Sequence, residues 1–180
     1  MTERYLSEEE VMRMITLTLD LRDQLILKTL YSGGFRVSEL VSLSWEDLQP
    51  REGGSGQITV IGKGNKKRVV IISKGVFQGI LKQKPENARP FDPIFVSREK
   101  ESPRLSVRMV QVIVDKARLR AGITKKVSPH WLRHAHASHA LDRGAPIHLV
   151  QVTLGHASVA TTGKYLHARP QESSGRFLGV

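Results

Sequence analysis

The sequence predicts an α+β fold, mainly helical, with one small antiparallel sheet. Two observations carry this. Helix-starting residues recur along the chain, each followed by apolar side chains at i, i+3 and i+4. A β signature is concentrated in one stretch: Gln57–Ile61 and Arg68–Ile72 are rich in β-branched residues, and Gly62-Lys63-Gly64-Asn65-Lys66-Lys67 joins them as a hairpin. The 180 residues show no internal repeat, and they suit one domain with a sizeable core.

In order, Ser7-Glu8-Glu9-Glu10 is a capping box, and Val11, Met14, Ile15 and Thr18 follow at helical spacing. A second helix runs from about Leu21 to Tyr31, with Leu25, Ile26 and Leu30 as core, and Ser32-Gly33-Gly34 breaks it. A third begins in Phe35-Arg36-Val37-Ser38-Glu39-Leu40-Val41-Ser42-Leu43, with Val37, Leu40 and Val41 buried. Arg36 is then left beside two glycines, where a ligand can approach closely, and Glu39 falls on the polar side. The hairpin carries Lys63, Lys66 and Lys67 at and near its tip. Such a tip is either a solubilising edge or a loop that enters a DNA groove. Gly62-Lys63-Gly64 resembles no Walker loop, which argues against nucleotide binding.

Pro85 to Pro93 is a polar connection, and Ile94-Phe95-Val96-Ser97 is a candidate third strand. Ser106 caps a helix to about Ala121, with Val110, Ile113, Val114 and Ala117 as its apolar stripe and Gly122 as its stop. Lys125 and Lys126 lead into the next helix. There Ser128 is the N-cap candidate, Pro129 suits the first helical position, and His130 and Arg133 share a face. Helix N-termini favour anions, so an imidazole and a guanidinium at this end suit a phosphate. Taken alone, the same features describe a solvated basic helix end. That helix continues to Gly144, Pro146 opens a short one over Ile147 to Leu154, and Gly155-His156 ends it. Ser158 caps a further short helix that carries Tyr165, before a tail ending in Phe177, Leu178 and Val180.

Lys and Arg number 28 against 17 acids, a net charge of +11, which points to a polyanion and to nucleic acid first. Cysteine is absent, so disulfides, thiolate nucleophiles and cysteine-ligated zinc are excluded. No apolar run approaches the roughly 18 residues of a membrane span. The N-terminus is polar and acidic rather than a signal peptide, and the expectation is a cytoplasmic protein that does not engage membranes.

Four pieces, by their order and spacing, carry a resemblance. They are Ser32-Gly33-Gly34-Phe35-Arg36-Val37-Ser38-Glu39-Leu40; Gly62-Lys63-Gly64-Asn65-Lys66-Lys67-Arg68; Ser128-Pro129-His130-Trp131-Leu132-Arg133-His134; and Leu154-Gly155-His156 followed by Thr161-Thr162-Gly163-Lys164-Tyr165. Over roughly Leu6 to His167 the chain resembles the catalytic domain of tyrosine recombinases, or phage-type integrases, of the Xer-like kind. The resemblance implies site-specific recombination in which Tyr165 attacks a DNA phosphodiester, forms a 3′-phosphotyrosyl bond and releases a 5′-hydroxyl. It makes Arg36, Arg133 and His156 the groups that hold the charged transition state. Lys63 becomes the general acid for the leaving oxygen, and His130 assists proton transfer at Tyr165. Glu39 orients Arg36 or a histidine. Lys66, Lys67, Arg68, Lys125 and Lys126 are assigned to DNA. No metal or other cofactor is implied, because the arginines do what Mg²⁺ does elsewhere.

Gly163-Lys164 before Tyr165 departs from the bulkier residues expected there, and Phe35 replaces a more usual leucine. Such recombinases carry an N-terminal clamp domain. The expectation is that it is absent here, that the chain is a fragment or a minimal relative, and that alone it holds DNA weakly and salt-sensitively. Assembly on DNA is expected to be tetrameric, from a monomer in isolation. The tail, with Phe177 and Leu178, either docks on a neighbouring protomer or is disordered. His134, His136 and His139 invite a zinc reading, but no acidic or cysteine partner is at hand to complete a ligand set; packing or DNA-backbone roles fit His134 and His139 better. Two rivals stay open: a non-catalytic DNA-binding relative, and a type IB topoisomerase-like enzyme.

Overall fold

A computed structural model describes residues 5–99, 103–155 and 173–180 of the chain. Helix α1 (Glu8–Thr16) opens on the expected capping box: Ser7 Oγ accepts from the Glu10 N–H, and the Glu10 carboxylate accepts from the Ser7 N–H. Helix α2 (Leu21–Gly33) is capped by Asp20 and stopped by Gly34, whose φ of 65° needs a residue without a Cβ. Its Leu25, Ile26, Leu27, Leu30 and Tyr31 are all buried, so α2 is the central rod of the fold. Helix α3 (Val37–Ser42) follows at once.

The sheet has three antiparallel strands in the order β1 (Leu48–Pro50), β2 (Gly56–Ile61) and β3 (Lys67–Ile72). The hairpin register pairs Ile58 with Val70 and Val60 with Arg68. The third strand is therefore not Ile94–Ser97. That segment makes only isolated bridges, Ser44 to Pro93 and Val96 to Arg104, and Arg104 there ties down the end of α3 through the Val41 and Leu43 carbonyls.

Helix α4 (Lys74–Lys82), capped by Ser73, has no counterpart in the sequence reading because Gly75 and Gly79 dilute its helical signal. Gly79 has a packing reason: a Cβ there would come within 2.7 Å of Leu25 Cδ2, so glycine lets α4 approach α2. Helices α5 (Val107–Arg120), α6 (Pro129–Asp142) and α7 (Ile147–Leu154) complete the described helices. Among the described residues, no helix is long and apolar enough to cross a membrane.

Residues 173–180 lie against the body of their own chain. The Ile71 N–H donates to Ser173 Oγ at 2.8 Å, and the Ser174 N–H donates to Thr153 Oγ1 at 3.0 Å. Leu178 is buried and Phe177 half-buried there.

Two histidines of α6 do the tying. His136 Nδ1 meets the Tyr31 carbonyl at 2.7 Å, and its Nε2 meets Ser174 Oγ at 2.6 Å. A carbonyl only accepts, so Nδ1 carries the proton and Ser174 donates to Nε2. His139 is the mirror case. Its Nε2–H donates to the Leu6 carbonyl, and Nδ1 accepts from the Tyr31 hydroxyl, both at 2.7 Å. With both ring nitrogens of each engaged, neither is placed as a zinc ligand. His134, by contrast, is exposed and stacks on Tyr5.

Burial lowers the His136 pKa from 6.5 to about 4, with the nearby Arg133 cation adding to it. The folded state thus binds fewer protons than the unfolded chain below pH 6.5, and stability falls as pH falls from 6.5 towards 4. Urea unfolding at pH 7 and pH 5 should differ by about 2 kcal/mol from this group. His136→Gln should flatten that slope, and an unchanged slope would show that His136 is not its source.

Candidate active site

The described chemistry-bearing residues come from the α2–α3 turn, the base of the β2–β3 hairpin and the start of α6, and the end of α7 meets them through its backbone carbonyls. Arg133 joins two of these places. It is buried, and its Nη1 donates to the Gly34 carbonyl at 2.5 Å and its Nη2 to the Leu154 carbonyl at 2.7 Å. Two of its five N–H donors are thereby used, and three remain for a ligand. Burial brings its pKa down to about 10, helped by the Arg36 cation and opposed by Glu39, so it stays protonated at neutral pH. The Arg36 cation is thus within electrostatic reach of Arg133.

Glu39 sits beneath them. The prediction that it lies on the polar side of α3 is overturned: it is buried. Its carboxylate accepts from the Arg36 backbone N–H at 2.8 Å, which caps α3 and fixes where the Arg36 side chain leaves the backbone. Burial works against its ionisation, but hydrogen bonds from Arg68 and from the Arg36 N–H, with the charges of Arg68 and Arg133, hold its carboxyl below the usual value.

Arg68, assigned to DNA from the sequence, is turned inward. Its Nη1 and Nη2 donate to Glu39 at 2.5 and 2.9 Å, and its Nε donates to the Thr153 carbonyl at 2.8 Å. The strand alternation points it there, since Val60 and Val70 flank it on the packed side of the hairpin. Lys125 is also committed, to the Tyr5 carbonyl at 2.7 Å and to Glu10 at 3.2 Å, where it anchors the start of the chain. Lys63, Lys66, Lys67, Lys126 and His130 are exposed. Lys63 begins the tight loop of the hairpin, closed by the Gly62 N–H on the Lys66 carbonyl at 2.8 Å. Gly62 lies over the Glu39–Arg68 pair, so Lys63 leaves the backbone next to it.

His130 occupies the first turn of α6, although Ser128 makes no side-chain cap bond there. His156 and Tyr165 lie outside the described residues. The missed participant is the Arg68–Glu39 pair. A charge on a strand opposite a charge on a helix 29 residues earlier leaves no periodic trace.

The family model described as "Phage integrase family" matches residues 4–172. The chain is 39% identical over 155 residues to a tyrosine recombinase XerC of Thermodesulfovibrio yellowstonii, covering 81% of this chain and 50% of that protein. It is 40% identical over 164 residues to a tyrosine recombinase XerA of Pyrococcus horikoshii, covering 89% and 55%. The chain thus spans about half the length of the curated relatives it matches. Among solved structures, that of XerA recombinase superposes with a TM-score of 0.73 at 35% identity, over 92% of this chain and 59% of that one. The lambda integrase catalytic core, at 19% identity and a TM-score of 0.64, shares the fold over 94% of this chain and 96% of its own. This chain belongs to the phage integrase family.

Proposed function

We propose that the domain cuts and rejoins DNA strands at specific sites, as the breaking and rejoining unit of a tyrosine recombinase. The observation that carries this is the α2–α3 turn: buried Arg133 bonds to its Gly34 carbonyl, and Arg36, two residues further on, keeps a partly exposed guanidinium. A phosphodiester held there meets preorganised cations where the transition state concentrates negative charge. Tyr165 oxygen attacks phosphorus, its proton leaving with help from His130. The phosphotyrosyl bond forms as the P–O5′ bond breaks, and Lys63 gives the departing 5′-oxygen its proton. Rejoining runs the same steps backward with a new 5′-hydroxyl, so no external energy source is needed. His156, next in the chain after Gly155, supplies a further hydrogen bond to the phosphate. Lys66, Lys67 and Lys126 contact the DNA backbone and make binding fall steeply with salt. Assembly of four copies on DNA belongs to the same reading.

Covalent trapping tests it. The chain and its Tyr165→Phe variant are incubated with nicked suicide duplexes carrying candidate sites, and with supercoiled plasmid. A denaturing gel should show a DNA-linked band that Tyr165→Phe abolishes. Relaxation of plasmid without any site preference would point instead to a topoisomerase-like enzyme. DNA binding with no adduct, even after fusion to an N-terminal clamp domain, would overturn the strand-cleavage reading.

A further inference from the structure

Arg36 and Arg68 are both within reach of Glu39, and the geometry is lopsided. Arg68 donates to both carboxylate oxygens, at 2.5 and 2.9 Å. The Arg36 guanidinium stays 3.9 Å away, and only its backbone N–H bonds to Glu39. Exposure follows the same division: the Arg36 side chain is 39% exposed, Arg68 10% and Glu39 4%. A buried carboxylate beside a single arginine takes that arginine as its two-pronged partner, and a fork so occupied is lost to an incoming anion.

Arg68 is held in place independently of Arg36. Its Nε is spent on the Thr153 carbonyl, and two glycines close over it. A Cβ on Gly62 would lie 3.3 Å from Arg68 Nη1 and from Glu39 Oε2, and one on Gly155 would lie 3.0 Å from Arg68 Nη1. The pair is therefore walled in by the hairpin base on one side and the end of α7 on the other. Charge adds a second effect: Arg36, Arg68 and Arg133 against Glu39 leave a net +2, which becomes +1 without Arg68.

We propose that Arg68 is a positioning residue that saturates Glu39, so that the Arg36 guanidinium stays available to a DNA phosphate and the carboxylate does not repel it. This rests on the reading of Arg36 as a phosphate ligand. Removing Arg68 alone lets Glu39 capture Arg36; removing Glu39 as well restores both the net charge and the availability of Arg36.

The test uses the chain itself, with inorganic phosphate as probe, followed on the Arg36 Nε–H resonance by NMR, and with suicide-duplex cleavage in parallel. Arg68→Met should weaken phosphate binding at Arg36 by about tenfold or more. Arg68→Met/Glu39→Gln should bring it back to within about threefold of the parent. A purely structural Arg68 predicts a double variant at least as impaired as the single one, and that result would overturn the proposal. Should Arg68→Met fail to fold by thermal melt, Glu39→Gln decides. The proposal expects phosphate affinity equal to or above the parent's, and a fall of about tenfold would refute it. Recovery of phosphate binding without any Tyr165 adduct in the parent counts against strand cleavage alone. An adduct in the parent with an unrecovered double variant counts against the role of Arg68 alone.

Discussion

Arg133→Lys is expected to slow strand cleavage by a factor of about 10²–10³, with a much smaller change in DNA affinity. The cause is geometric. Arg133 spans the Gly34 and Leu154 carbonyls with two nitrogens and still presents donors to a phosphate. A lysine has one point of attachment, so it either satisfies a carbonyl or reaches the anion. Arg133→Ala goes further and leaves both carbonyls without their donor in a buried place, at a cost of about 2–4 kcal/mol. In a chain of this size that lowers Tm by roughly 5–15 °C. Single-turnover cleavage, fluorescence anisotropy on a duplex and a thermal melt separate the two effects. A lysine variant that cleaves at the parental rate would remove Arg133 from the phosphate site.

Gly175→Val should release the C-terminal segment. Gly175 lies in a 3₁₀ turn, Ser174–Leu178, and a Cβ there would fall 1.8 Å from the Ser32 carbonyl oxygen and 2.9 Å from its carbon. Those are backbone atoms at the end of α2, next to the Gly34 turn that Arg133 holds, so they cannot yield cheaply. The segment must lift instead. It then loses the Ser174–His136 bond, the Ser173 bond to Ile71 and the burial of Leu178. About 2–4 kcal/mol should go with them. Limited proteolysis should shorten the variant from its C-terminus under conditions that leave the parent whole. Gly75→Ala is the control: nothing lies within 4 Å of its Cβ, and the change in a helix should be neutral or stabilising. Equal protease resistance of Gly175→Val and parent would contradict the close approach.

What the sequence conveyed follows from the range of each interaction. Caps and periodic stripes act over three or four residues, so α1, α2, α5, α6 and α7 could be placed from Ser7, Leu25, Ser106, Pro129 and Pro146. The hairpin was legible because its β-branched strands and glycine loop are contiguous. Strand β1 was not: Leu48-Gln49-Pro50 has no β propensity, and it is a strand only because the edge of β2 offers Gly56 to Ile58 as partners. The burial of Glu39 escaped for a similar reason. Helical spacing puts it with the polar residues, and its burial depends on the distant Arg68, which the spacing does not reveal. His134 and His139 were read as packing or DNA-backbone residues; His139 is buried, as is His136, while His134 is exposed. The partners of His136 and His139, Ser174 and Leu6, lie far along the chain in opposite directions.

That spread has a consequence for how the molecule comes into being on the ribosome. Arg133, His136 and His139 bind segments 99, 105 and 133 residues earlier: the Gly34 and Tyr31 carbonyls and the Leu6 carbonyl. The N-terminal half therefore emerges with the seams that α6 will close still open, and a nascent chain shorter than about residue 140 cannot assemble the guanidinium pair. High contact order of this kind delays folding until synthesis is nearly complete. A truncated product of interrupted translation would keep the lysine hairpin while lacking the buried Arg133 and its links to Gly34 and Leu154.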